Sequence, residues 1–136
     1  MKKPFAIWLL LVVLTYGGLG AATHIYFSLN PQRLFVGLDA SFGMRAKWPE
    51  VRAVMNSIEK NYRYAEFALA TGKNRVHSWQ PNLRLGTTLT YGPRDFSKFT
   101  NDEYAELQDA DGTLLITNAP NLAEALRSQG WSILLP

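Results

Sequence analysis

The apolar pattern begins almost at once. From Pro4 to Gln32 the chain runs 29 residues without a formal charge, and "MKKPFAIWLLLVVLTYGGLGAATHIYFSL" has two readings. A positive start, an apolar core over residues 5–14 and small residues at 17–22 fit a cleaved signal peptide. Apolar character resumes at Ile25–Phe27, however, and this supplies the roughly 20 residues that a spanning helix needs. The expectation is therefore an uncleaved single-pass anchor over residues 1–30. "NPQR" (30–33) ends it, because Pro31 biases Asn30 away from the helical region.

After the anchor the pattern changes period. "RLFVGLD" (33–39) is a near-continuous apolar run, as in a strand buried on both faces. Trp48, Val51, Met55, Ile58 and Tyr62 recur at helical spacing, with Pro49 in the first turn. "YRYAEFALATG" (62–72) alternates as a strand, and "VHSWQPNLRL" (76–85) continues it, predicting a hairpin over 64–85. "GTTLTYGPRDF" is loop. "TNDEYAEL" predicts a short helix with Thr100 and Glu103 as a capping box. "GTLLITN" (112–118) is a buried strand. Residues 121–130 predict a helix with Asn121 as cap and Gly130 as terminator, and "WSILLP" closes as a strand. The order β-α-β-β-(α)-β-α-β predicts an α/β domain over 33–136: a mainly parallel sheet of about five strands with flanking helices, preceded by one transmembrane helix.

Charge refines this picture. The net charge is +3, but Lys2 and Lys3 supply most of it; without them 12 Lys+Arg face 11 Asp+Glu. The soluble part has no basic excess of the kind phosphate binding requires, so nucleic acid is not expected as a partner. Lysines on the short N-terminal side place the N-terminus in the cytoplasm by the positive-inside rule. The domain is then expected outside the inner membrane, in the periplasm of a Gram-negative cell. Gly17 and Ala21, like Gly18 and Ala22, are four apart, the small-xxx-small spacing that lets membrane helices pack closely. His24, beside Tyr26, is expected at the outer interface.

Candidate chemistry is sparse. There is no cysteine, which excludes disulfides, thiolate metal sites and thiol nucleophiles, and two histidines exclude a multi-histidine metal site. His77, Trp79, Tyr91 and Trp131 read as packing or rim residues. In a parallel α/β sheet, ligands bind at the carboxyl ends of the strands. Asp39-x-Ser41 stands at one such end and Asn118 at another, and the "GTT" loop (86–88) can reach the same edge.

On "LDASFGM", "LGTTL" and "LLITNAP" the chain resembles the von Willebrand factor A domain, over roughly residues 33–136. In that family the first strand ends in Asp-x-Ser-x-Ser, a later loop supplies a Thr, and a central strand ends in Thr-Asp-Gly. Together they hold magnesium or manganese in a metal-ion-dependent adhesion site. The resemblance implies Asp39, Ser41 and Thr87 as metal ligands. Gly43, however, replaces the second serine, Asn118 replaces the aspartate, and the family's last helix and last strand are expected to be missing. A single carboxylate holds a hard cation weakly. The expectation is a vestigial site without cofactor, in which Asp39 and Ser41 form a turn and cap the following helix.

"DADGTLL" (109–115) also reproduces the signature of haloacid-dehalogenase-like phosphatases. There the aspartate nucleophile follows a buried strand; here the motif precedes one. The resulting expectation is a non-catalytic accessory or assembly subunit of an inner-membrane complex, with integral membrane subunits and lipid as partners. A magnesium- or manganese-dependent adhesion module is the second reading, and a phosphatase the third.

Overall fold

The computed structural model describes residues 2–136; Met1 and the Lys2 side chain, half of the N-terminal charge pair, lie outside the described residues. The chain divides into two units, Met1–Pro31 and Gln32–Pro136.

The first unit is one helix, α1 (Lys2–Leu29). Residues Lys3–Leu29 are long and apolar enough to cross a membrane, with a mean hydropathy of 2.0. Its serine and threonine hydroxyls are satisfied internally: Thr15, Thr23 and Ser28 donate to the carbonyls of Leu11, Leu19 and His24 at 2.7–2.8 Å. This bonding removes polar groups that hydrocarbon could not solvate. The helix ends where Asn30 turns its backbone N–H and its side-chain amide onto the Tyr26 carbonyl, both at 3.0 Å.

The second unit contains β1 (Gln32–Leu38), α2 (Trp48–Asn61), β2 (Ala65–Thr71), β3 (Arg75–Gln80), β4 (Gly112–Ile116), α3 (Glu124–Ser128) and β5 (Ser132–Leu134). The sheet order is β3-β2-β1-β4-β5. The β1–β2, β1–β4 and β4–β5 pairs are parallel, and β3 is an antiparallel edge. The fold is thus the expected α/β arrangement with a mostly parallel five-stranded sheet.

Strand alternation builds two cores around β1. Leu34, Val36 and Leu38 face α2 and pack with Val51, Met55 and Ile58. Phe35 faces the other way, into Phe99, Tyr104, Leu126 and Trp131. Gly37 shares that second face because the rings leave no room: an added Cβ would stand 3.0 Å from Trp131 and 3.1 Å from Phe99.

Three local expectations are corrected. Strand β3 stops at Gln80, since Pro81 cannot donate to a ladder; Leu83 instead folds into the core, its N–H held by the Glu59 carboxylate. The capping box does not form. The Thr100 N–H donates to the Lys98 carbonyl, Glu103 pairs with Lys98, and only a 3-10 turn at Ala105–Leu107 follows. The helix expected over 121–130 splits into a 3-10 turn, Pro120–Ala123, and the short α3, with no side-chain cap from Asn121. Its terminator stands: Gly130 takes φ +92°, and the N–H groups of Gly130 and Trp131 bond back to Arg127 and Leu126. That reversal delivers Trp131 to the core.

Candidate functional site

The chain leaves β1 for β2 on one side and later returns to place β4 on the other. The carboxyl ends of β1 and β4 therefore meet at a topological switch point, where open α/β sheets bind their ligands. Asp39 follows β1 there, and Thr117 and Asn118 follow β4.

Asp39 extends the ladder, its N–H donating to the Ile116 carbonyl at 2.9 Å. Its side chain is only 2% exposed. Oδ1 accepts the Ser41 N–H at 3.1 Å, closing the expected turn. Oδ2 accepts two bonds, from Thr117 Oγ1 and from Arg94 Nε, each at 2.7 Å. Arg94 then reaches across: its Nη2 donates to Asn118 Oδ1 at 2.6 Å. Asn118 completes the circuit by donating Nδ2 to the Gly43 carbonyl at 2.9 Å. One guanidinium thus ties together the β1–α2 loop, the β4–α3 loop and the segment from Tyr91 to Asp95. Backbone bonds hold that segment in place, from Tyr91 N–H to Ala40 at 2.7 Å and from Phe42 N–H to Gly92 at 3.0 Å.

Gly43 makes room for the guanidinium: a Cβ at this position would come within 2.7 Å of Arg94 Nη2. Ser41 does not cap the 3-10 turn Phe42–Lys47 that follows it. Its hydroxyl is buried without a hydrogen-bond partner. It borders a cavity of about 20 Å³ shared with Asp39, Thr71 and Asp95, room for about one water.

Of the sequence-predicted ligands, Asp39 and Ser41 come together. Thr87 does not; it lies in an exposed turn opened by Gly86 and does not line the cavity. Besides Thr117, the threonine at the site is Thr71, which borders the cavity and ends β2 in register with Leu38. Its hydroxyl is spent on the β2–β3 turn, accepting the N–H groups of Lys73 and Asn74. Among the described residues, no group of three or more His, Asp or Glu side chains converges as metal ligands would.

Arg94 is the residue that sequence reasoning missed. Its one signal was indirect and distant in sequence: Gly43, a position without a side chain where the resembled family has a hydroxyl. At the opposite end of the sheet, Asp111 precedes β4 and accepts the Arg33 N–H at 2.9 Å. The "DADG" aspartates therefore stand away from the strand ends that carry Asp39 and Asn118. Gly17, Gly18 and Gly20 are open, with nothing within 4 Å of an added Cβ. No family model, curated protein or solved structure matches the chain.

Proposed function

We propose that this protein is a non-catalytic accessory or assembly subunit of an inner-membrane complex. Helix α1 crosses the membrane with its N-terminus in the cytoplasm and packs on partner helices, and a von Willebrand factor A-like domain docks on their periplasmic side. The observation that carries this reading is the face of α1 formed by Gly17, Gly18, Ala21 and Ala22. It lies in a helix whose described side chains are exposed along its whole length, and its glycines meet nothing in this chain. In lipid, close backbone approach at small residues is a main source of helix association. The likeness to the A domain rests on placement: Asp39-x-Ser41 and Asn118 stand side by side at the ends of β1 and β4. Lys3, before the apolar stretch, supports the orientation.

The test is co-purification in a mild detergent of wild type, Gly17→Leu and Gly18→Leu. A leucine on this face separates the backbones. The partner subunits identified with wild type are expected to be depleted from at least one variant while the domain keeps its melting temperature. Equal recovery from both variants removes this face from any interface.

A further inference from the structure

Hard divalent cations take several oxygen ligands, and magnesium demands near-octahedral geometry. The donor set at the switch point does not fit. It offers one buried carboxylate, Asp39, whose two oxygens already accept three hydrogen bonds. Asp95 also borders the cavity, but it turns its Oδ1 to the N–H and hydroxyl of Ser97. The Asn118 carbonyl, which could have been a second oxygen ligand, accepts from Arg94. Gly43 contributes no side chain, and the space above it is filled by the guanidinium. Ser41 Oγ, the remaining hydroxyl of the motif, is left buried and unpartnered.

We infer that the Arg94 guanidinium is a built-in substitute for the divalent cation of an A-type metal site, neutralising Asp39 and bridging it to Asn118 so that the domain needs no metal. The geometry accounts for each departure from the motif. A fork of N–H donors requires acceptors, and Asn118 Oδ1 supplies one without placing a second negative charge on the guanidinium that already pairs with Asp39. The planar group requires more room than a single ion, and Gly43 supplies it. The orphaned Ser41 hydroxyl is a ligand position that the guanidinium does not reach. An arginine is also always charged, so the bridge is permanent, whereas a metal bridge follows the cation concentration. The inference rests on the A-domain likeness of the proposed function, concerns the domain alone and stands whether or not α1 packs on a partner.

The experiment is thermal melting of the full chain in detergent, in EDTA and in excess magnesium or manganese, for wild type, R94A and G43S/R94A. Wild type is expected to melt at one temperature in both conditions. R94A, with Asp39 left buried and unpaired, is expected to melt several degrees lower. G43S/R94A has lost the guanidinium and regained a second hydroxyl beside Ser41, and is expected to melt higher in magnesium than in EDTA. A magnesium-dependent rise in wild type overturns the inference, as does R94A melting like wild type, or a double variant indifferent to both cations. If G43S/R94A is unfolded in EDTA, circular dichroism during cation addition reads the same point. Recovery of structure supports the inference, and a chain unfolded at every cation concentration overturns it.

Discussion

Arg94 lies 55 residues after Asp39 in sequence, yet its Nε stands 2.7 Å from Asp39 Oδ2. The carboxylate is buried, whereas the arginine side chain keeps 20% exposure. That asymmetry sets the cost of breaking the pair. Removing one partner of a buried pair costs about 3–5 kcal/mol because the other charge is stranded. In Asp39→Ala the stranded group is the partly exposed guanidinium, which can turn toward water. A loss of about 3 kcal/mol is therefore expected, more than the ~1 kcal/mol of a simple cap or turn. Urea unfolding checks this, and a loss below 1 kcal/mol reduces Asp39 to a turn residue.

Gly72 tests how tightly the Arg94 segment is held. A Cβ there would overlap the backbone carbonyl oxygen of Asp95, which cannot swing aside as a side chain can. Gly72→Ala is expected to destabilise the domain by about 1–3 kcal/mol, the usual range for overpacking. Because Asp95 adjoins Arg94, the displacement should also loosen the bridge. Combining Gly72→Ala with Arg94→Ala should then cost less than the two losses added. Strict additivity would mean that the segment moves independently of the bridge.

The parts of this fold written in local pattern were legible. Trp48, Val51, Met55 and Ile58 at helical spacing are α2, and the apolar run after Gln32 is the central strand, buried on both faces. Asp39, Ser41 and Asn118 were found because strand ends in a parallel sheet gather at one edge. Thr87 was preferred to Thr71 because its loop resembled a motif, although the β1–β2 register carries Thr71 to the edge. Arg94 left no such trace. It sits in a segment without periodicity, and an ion pair between distant loops has no sequence spacing to reveal it. The short helices failed for a related reason: Glu103 and Thr100 have the spacing of a capping box, but Lys98 takes the Thr100 N–H and the Glu103 carboxylate, which the box would join to each other.

His77 gives the domain a pH dependence with a definite sign. On β3 its ring Nδ1 lies 2.8 Å from the Ser78 carbonyl, while Nε2 accepts the Arg84 N–H at 3.2 Å. An accepting Nε2 requires the neutral ring. Burial pushes its pKa below the ordinary value; the Ser78 carbonyl opposes this, and the Arg84 charge adds to it. The unfolded chain takes up its proton near 6.5. The neutral folded ring therefore contributes stability that is complete above about pH 6.5 and is lost as pH falls toward the folded value. Unfolding free energies at pH 7.5 and 5.5 should differ more for wild type than for His77→Gln. The same difference in both proteins would assign the pH dependence to other groups.

The cysteine-free sequence makes the orientation of the anchor directly testable. Ser128, exposed near the end of α3, accepts a substitution at little cost, since its hydroxyl bonds only the Ala125 carbonyl three residues earlier. In the proposed orientation the domain lies outside the inner membrane. Ser128→Cys should therefore react with a membrane-impermeant maleimide once the outer membrane alone is permeabilised. An Ala6→Cys variant, in the first turns of α1, should stay unlabelled under the same conditions. The positive-inside rule rests here on two lysines, and only short flanking segments obey it. Labelling of Ser128→Cys only after the inner membrane is broken would reverse the orientation and move the domain, with its Arg94 bridge, to the cytoplasmic side.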